Sequence, residues 1–263
     1  MKLPFALLFS LSVLAQTSRP PEKSIDEVIK NLQVQPSDIR LINDLAKHPK
    51  DPRVIPLLRE LFTQAKMSGA TQSLGVFSIP IASEIAFTLI RLGVADDMYF
   101  NEVAEYARTT ITLDQPAPFL TDAKGKEDPV RRNPSFENWC SLRGLEWDQC
   151  MLRMTAGARA VDELSAIRDK RSTNILRQAL GASNHVIVLV AVDGLARLND
   201  IESIPAIAGA CARFPPDLAQ RIAMSATEFA DSQVQSLFER FIKDPELLAD
   251  TQKVWRQKHD KQQ

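Results

Sequence analysis

The sequence predicts an all-α protein, built as a superhelical stack of helix pairs. Three aspartates, Asp169, Asp200 and Asp231, are separated by 31 residues twice, and apolar residues recur at the same interval. Only 9 of the 263 residues are glycine and 6% are aromatic, a composition that disfavours a turn-rich all-β fold. A fixed period in this range is typical of proteins whose units each stack on their neighbours.

Apolar positions line up when the sequence is shifted by 31 residues. The aligned sets are Leu145, Leu176, Ile207 and Phe238; Leu180, Cys211 and Ile242; Ala160, Ala191 and Ile222; Leu164, Leu195 and Ala226; and Ile167, Leu198 and Phe229. Within a helix, such residues fall three or four positions apart and share one face. We expect each face to be covered by the next unit.

The helix boundaries are clearest around Asp200. Ile204 and Ile207 mark the buried face of the helix after it, and Asp200 or Ser203 is predicted to cap its start. The helix before it, residues 185–198, is apolar nearly all round. Such a helix is covered on more than one side, either in a stack or in the core of a compact bundle, and the 31-residue interval favours the stack.

A looser copy of the pattern occupies the N-terminal half. Leu58 and Phe62 follow Asp51 at the spacings that are seen after Asp169. The stretch KMSGATQSLGVFS, between the two helices of this copy, is interpreted as extra turn residues. Residues 244–263 are predicted to close the array. Their inward-facing side chains are predicted to be Leu247, Leu248, Val254 and Trp255.

Three segments of the sequence resemble a known family. DPRVIPLLREL, VAVDGLARLNDIESIPAI and IAFTLIRLGVADD resemble HEAT repeats, nearest to the short bacterial kind found in phycobilin lyases. The family pattern A-x-x-x-L-x-x-L is matched by Ala191, Leu195 and Leu198. This resemblance implies a HEAT/armadillo-like α-α superhelix. Nothing beyond the repeat type points to bilin-lyase activity.

The chain divides into five predicted segments. They are a signal peptide (1–15), an N-terminal linker with a first helix (16–36), HEAT-like repeats (37–111), a Pro-rich insertion (112–150), and HEAT-like repeats with a C-terminal capping helix (151–263). The insertion is interpreted as a loop with one or two short helices. Long loops inside compact domains are often functional.

The first residues predict export to the periplasm or to the outside of the cell. Lys2 precedes an apolar run, residues 3–14, and Ala15 completes a small-residue cleavage site. The alternatives are a buried N-terminal helix or a membrane anchor. No second long apolar run follows, so no integral membrane segment is expected after cleavage.

Export changes the interpretation of the three cysteines. Cys140 and Cys150 are close in sequence and are predicted to form a disulfide, which would contribute roughly 3 kcal/mol by closing the loop. The alternative is two unpaired thiols. Cys211 lies on an apolar helical face and is expected to be a core thiol.

The sequence carries no recognisable catalytic or metal-binding motif. His48, His185 and His259 are far apart, and the paired acids Asp96 and Asp97 are interpreted as helix-start residues. The formal charge is −1, and it becomes −2 once a signal peptide with its single lysine is removed, so no nucleic-acid partner is expected. We therefore expect no cofactor, no metal and no enzymatic activity.

Four residues are weak candidates for binding a partner. Arg91 and Arg197 occupy equivalent places in two units, although the third equivalent, Glu228, interrupts this row, and solvated arginines are the simpler interpretation. Trp139 and Trp147 lie in the insertion, where aromatic residues either contact a partner or pin the insertion onto the repeats.

These observations favour a non-catalytic scaffold that binds an unidentified protein partner in the cell envelope. Binding would use the curved face of the stack or the insertion 112–150. The alternatives are a hydrolase or lyase whose site is assembled across repeats, and a self-assembling structural protein of the envelope. A pocket with two or more convergent titratable groups would favour the enzyme.

Overall fold

The computed structural model describes residues 23–74, 77–110, 119–121 and 127–259. It is 74% helical, which confirms the all-α class. The helices described are α1 (Ile25–Val34), α2 (Ile39–Leu45), α3 (Val54–Ser68), α4 (Ile81–Arg91), α5 (Asp97–Thr110), α6 (Pro134–Ser141), α7 (Trp147–Ala166), α8 (Thr173–Ala179), α9 (His185–Arg197), α10 (Ile204–Cys211), α11 (Pro216–Met224), α12 (Gln235–Phe241) and α13 (Pro245–His259). The predicted signal peptide, residues 1–15, lies outside the described residues.

Most of the longer helices pack against near neighbours in the chain. α3 packs on α4, α4 on α5 and α5 on α7; α7 then contacts α8 and α9, and α9 contacts α11. At the C-terminal end, α11 contacts α12 and α12 contacts α13. One hydrophobic core runs through this series, from Val28 in α1 to Ile242 after α12.

Short 3-10 helices mark the 31-residue interval in the C-terminal half. Three of them occupy Lys170–Ser172, Ile201–Ser203 and Ser232–Val234, directly before α8, α10 and α12. Asp169 accepts a hydrogen bond from the backbone N–H of Arg171 at 2.8 Å, and Asp231 accepts one from Gln233 at 2.8 Å. These two aspartates therefore cap the 3-10 helices that precede α8 and α12, as their spacing predicts.

The prediction that Asp200 or Ser203 caps the helix after it is wrong. The Asp200 carboxylate instead accepts hydrogen bonds from Arg177, with Nε–Oδ2 at 2.7 Å. The Ser203 hydroxyl donates to the backbone carbonyl of Asp200 at 2.7 Å. The guanidinium of Arg177 is a charged donor, so the carboxylate is oriented toward α8, two helices earlier in the chain.

Burial differs between two strongly apolar helices, α4 and α9. In α4 every residue from Ile81 to Leu89 is buried, whereas α9 contacts α7, α8 and α11 and still leaves a half-buried strip. That strip, which we call the α9 strip, consists of Val186, Leu189 and Val190. The predicted covering of α9 on more than one side is confirmed, but one face remains partly open.

Two β-hairpins were not expected. Strands β1 (Thr71–Leu74) and β2 (Phe77–Pro80) pair antiparallel within the stretch that was interpreted as extra turn residues. Strands β3 (Phe119–Thr121) and β4 (Glu127–Arg132) pair antiparallel within the predicted insertion, which also contains α6 and the start of α7. The insertion therefore contains the expected short helix, α6, and also the β3–β4 hairpin, which was not predicted. Its residues 112–118 and 122–126 lie outside the described part.

The C-terminal helix α13 closes the described structure. Leu247, Leu248 and Trp255 pack against the main core, and the Trp255 indole N–H donates to the backbone carbonyl of Phe229 at 2.6 Å. Val254 is 44% exposed, so its predicted inward orientation is wrong. It lies next to Trp255 in the helix and therefore points away from the face that Trp255 buries.

Candidate interaction surface

Three ion-paired groups of charged side chains, which act on one another electrostatically, form a row along neighbouring elements of the fold. The members of this charged row are Glu84 on α4; Arg159, Asp162 and Glu163 on α7; Asp193 and Arg197 on α9; Glu228 on the 3-10 helix Ser225–Glu228; and Lys258 on α13. Opposite charges alternate along much of the row, so its members hold one another in place. We treat the row and the neighbouring α9 strip as the candidate surface.

Arg159 joins the two halves of the chain at the start of the row. Its Nε lies 3.0 Å from Oε1 of Glu84, 75 residues earlier, and 3.1 Å from Oε1 of Glu163 on its own helix. The side chains of Glu84 and Glu163 are only 4% and 1% exposed, whereas that of Arg159 is 42% exposed. One partly exposed cation therefore serves two buried carboxyl groups.

The charge balance of this cluster favours a bound proton. Burial, followed by the neighbouring Glu84 carboxylate, raises the pKa of the Glu163 carboxyl well above its usual value. Oε2 of Glu163 has no hydrogen-bond partner among the described residues. A neutral Glu163 would leave Glu84 and Arg159 as a matched pair.

The middle of the row repeats along the 31-residue interval. Asp162 and Asp193 are 31 residues apart. Burial raises the pKa of each carboxyl above its usual value, and the charge of Arg197 lowers both pKa values in part. Arg197 Nη2 lies 2.7 Å from Oδ2 of Asp193. Because Arg197 acts on carboxylates of two helices, it couples α7 to α9 electrostatically.

Glu228, which interrupts the predicted series of equivalent arginines, lies at the far end of the charged row. Glu228 pairs with Lys258, and this hydrogen bond lowers the pKa of Glu228 below its usual value. Arg197 also acts on Glu228 and lowers its pKa further. Glu228 therefore continues an alternating pattern of charge instead of breaking a pattern of arginines.

The two arginines predicted as weak binding residues lie in different surroundings. Arg91, at the end of α4, is exposed, and its guanidinium carbon lies 5.5 Å from the centre of the Phe87 ring. Arg197 belongs to the charged row and is paired with Asp193. Their equivalent positions in sequence do not give them equivalent partners.

Apolar and charged residues adjoin on the exposed side of α9. Val186 and Val190 are one turn apart, and Asp193 and Arg197 continue the same face toward the C-terminus. Leu189 borders this face and packs partly against the main core. A half-buried apolar strip next to fixed charges is chemically suited to hold an amphipathic partner.

The insertion forms a small second core, separate from the main one. Its buried members are Phe136, Cys140, Cys150 and Met151, with Trp139, Leu145, Trp147 and Met154 packed around them. Arg143 lies 3.9 Å above the Trp139 ring and Arg132 lies 4.8 Å above the Trp147 ring. Phe136 contacts both indoles, at ring-centre distances of 5.8 and 4.9 Å. The two tryptophans thus support the insertion itself.

The structure joins Cys140 of α6 to Cys150 of α7, with Cα atoms 6.0 Å apart. This bond would hold the second core onto the long helix α7. Whether the bond forms in solution stays a prediction. Cys211 is buried and unpaired, and burial raises the pKa of its thiol to about 12.

The candidates for catalysis or metal binding do not converge. Asp96 accepts a hydrogen bond from the backbone N–H of Met98 at 2.9 Å, in agreement with a helix-start role, and Asp97 pairs with Arg171. Burial, and to a lesser degree Arg221, lowers the pKa of His185. In the part of the chain that the structure describes, no three His, Cys, Asp or Glu side chains are grouped to hold a metal ion.

A shallow groove of 450 Å³ lies between α10 and α12. Arg240 is the only charged side chain in its lining, so it differs from the enzyme site considered above, which needs convergent titratable groups. Among the described helices, none is both long and apolar enough to cross a membrane.

Comparison of the chain with protein-family models, with curated proteins and with solved structures finds no match.

Sequence reasoning missed most of the charged row. Glu84 was visible as a lone acid within the apolar run IASEIAFTLI, a pattern that indicates a buried and paired carboxylate. Asp162 and Asp193 also share the 31-residue interval, so a search for repeated charges would have found them. The partnership of Glu84 with Arg159 had no signal in the sequence.

Proposed function

We propose that this protein is a non-catalytic, exported scaffold that binds a protein partner through one face of a HEAT-like α-solenoid. The order of packing supports a solenoid, because most helices contact near neighbours in the chain. The 3-10 helices at the 31-residue interval support repeated units.

The observation that carries the proposal is the α9 strip. α9 is apolar along most of its length, yet Val186, Leu189 and Val190 are only half-buried. Burying a side chain of this size completely is worth about 1.5–3 kcal/mol relative to exposure, so a covering partner would gain from the strip. Asp193 and Arg197, at its border, would fix the partner's register.

The insertion is a second surface for the same function. Its separate core and its Cys140–Cys150 bond give it a defined shape, and Leu142 at the turn after α6 is 76% exposed. An exposed leucine on a rigid turn is suited to enter a partner's pocket.

The test is an affinity capture from envelope extract with four matched baits. They are the wild-type protein, Val186→Glu in the α9 strip, Met67→Glu as a control at an exposed apolar residue of α3, and a version with 112–150 replaced by a Gly/Ser linker. Circular dichroism checks that each bait is folded.

We expect a protein that is retained by the wild type and by Met67→Glu and is lost with Val186→Glu. Loss only with the linker version would move the binding site to the insertion. Failure of every bait to retain a protein would overturn the scaffold proposal, and concentration-dependent light scattering would then test self-assembly.

A further inference from the structure

Arg177 joins α8 to the segment directly before α10, and we call such a contact between successive helix pairs a junction. From α8 its guanidinium reaches forward to Asp200, at 2.5 and 2.7 Å, and to Glu202 at 2.9 Å. The residues 31 positions later are Ala208 in place of the arginine and Gln233 in place of Glu202. The next junction therefore lacks both the arginine and one of its acidic partners.

The groove between α10 and α12 lies where this contact is missing. Ala208 is in its lining, with Ile204 and Leu237, which are 6% and 2% exposed, at its base. Its volume is 450 Å³. An alanine at the arginine position leaves the space between the two helices unfilled, so the groove follows from the departure from the repeat.

The groove has an apolar base and a positively charged rim. Arg240 is in the lining, and its guanidinium carbon lies 5.1 Å from the centre of the Phe241 ring. No ion pair to Arg240 is found among the residues that the structure describes, and Ser232 and Gln233 provide further polar groups at the rim. A cation without a carboxylate partner, above an apolar surface, is complementary to an anion that carries an apolar neighbour.

We propose that this groove binds a segment of a partner protein in which a carboxylate side chain is next to an aliphatic one. The aliphatic side chain packs on Ile204, Ala208 and Leu237. The carboxylate pairs with Arg240. A protein segment is favoured over a small molecule because the groove is shallow, whereas small-molecule sites enclose most of their ligand. This inference rests on the proposed scaffold function and names a second contact for it.

The test uses one peptide and its uncharged counterpart on the purified protein. The probe is the peptide GSLELSG, acetylated and amidated, and the counterpart has glutamine in place of glutamate. Methyl NMR of Ile204, Ala208 and Leu237 locates binding, and fluorescence anisotropy with a labelled peptide gives the affinity.

Two variants place an arginine on α10. Ala208→Arg restores the arginine of the preceding junction and fills the groove. Ala206→Arg puts the same side chain on an exposed position of the same helix, outside the lining. A third variant, Arg240→Gln, removes the cation. Thermal melting of each variant shows that the fold is retained.

We expect the glutamate peptide to shift the groove methyl signals and to bind about fivefold more tightly than the glutamine peptide. Ala208→Arg should weaken binding by about tenfold or more, Arg240→Gln should remove the preference for glutamate, and Ala206→Arg should bind as the wild type does. Equal binding of both peptides, shifts outside the groove, or full binding by Ala208→Arg would overturn the proposal.

The peptide measurement needs no cellular partner, so its result is independent of the capture experiment. If capture fails while the peptide binds as expected, the scaffold proposal fails and the groove stands. If capture succeeds while the peptide leaves the groove signals unmoved, the groove proposal fails and the scaffold stands.

Discussion

Replacing Arg159 with glutamine removes the one cation between two buried carboxyl groups. Its Nε is 3.0 and 3.1 Å from the oxygens of Glu84 and Glu163, which are 4% and 1% exposed. Breaking a fully buried pair costs about 3–5 kcal/mol. Arg159 itself is 42% exposed, so solvent screening reduces the expected loss to about 2–3 kcal/mol at neutral pH.

The loss should depend on pH because Glu163 holds its proton more tightly in the folded state. Burial, followed by Glu84, raises the pKa of Glu163 above its usual value of 4.5. The contribution of the neutral carboxyl to the free energy of unfolding is fully present below that usual pKa. It is lost as pH rises through the raised pKa of the folded state. Without Arg159 the carboxyls are costlier to ionise. The loss of unfolding free energy caused by Arg159→Gln should therefore increase as pH rises.

The assay is urea denaturation followed by circular dichroism, at about pH 5 and about pH 8. Arg159→Gln should lose about 1 kcal/mol or less at the lower pH and about 2–3 kcal/mol at the higher one. Adding Glu163→Gln should recover at least half of the loss at the higher pH. Arg91→Gln, at an exposed arginine, is the control and should change stability by less than about 0.5 kcal/mol.

A loss for Arg159→Gln that is the same at both pH values would refute this reasoning. A double variant that is no more stable than Arg159→Gln would refute it as well, because a neutral side chain at 163 should relieve the repulsion.

Three further outcomes are expected. Gly194→Ala should lose about 2 kcal/mol of unfolding free energy, since an added Cβ would lie 2.8 Å from a backbone Cα of α7; an unchanged urea midpoint would contradict the close approach. Asp169→Ala removes a helix cap and should lower the melting temperature by the equivalent of about 1 kcal/mol. Asp169→Asn should retain most of the stability that the cap contributes. In the unfolded protein, thiol titration should find one thiol, Cys211, before reduction and three after it; three before reduction would exclude the Cys140–Cys150 bond.

The 31-residue spacing of the aspartates predicted two helix starts. Asp169 and Asp231 each cap a 3-10 helix, because a short polar side chain that caps a turn leaves a local and repeated signal. The same logic failed at Asp200. Its spacing is right, but a charged donor on α8, Arg177, binds the carboxylate.

Contacts between distant segments were beyond sequence reasoning. Arg159 meets Glu84 across 75 residues only because α7 packs beside the N-terminal half after the insertion. The β1–β2 hairpin was also missed, because its strands are four residues each and carry little periodicity. Trp139 and Trp147 were placed correctly in the insertion, but their stacking on Phe136 depends on how that segment folds back.

The most direct test of the scaffold account is site-specific photo-crosslinking from the α9 strip. A photoreactive amino acid replaces Val186 in one protein and Met67, on the exposed face of α3, in the control. In envelope extract, the account predicts a discrete crosslinked protein from position 186 and none from position 67. Absence of an adduct at 186, or the same adducts from both positions, would contradict the claim that this face binds a partner.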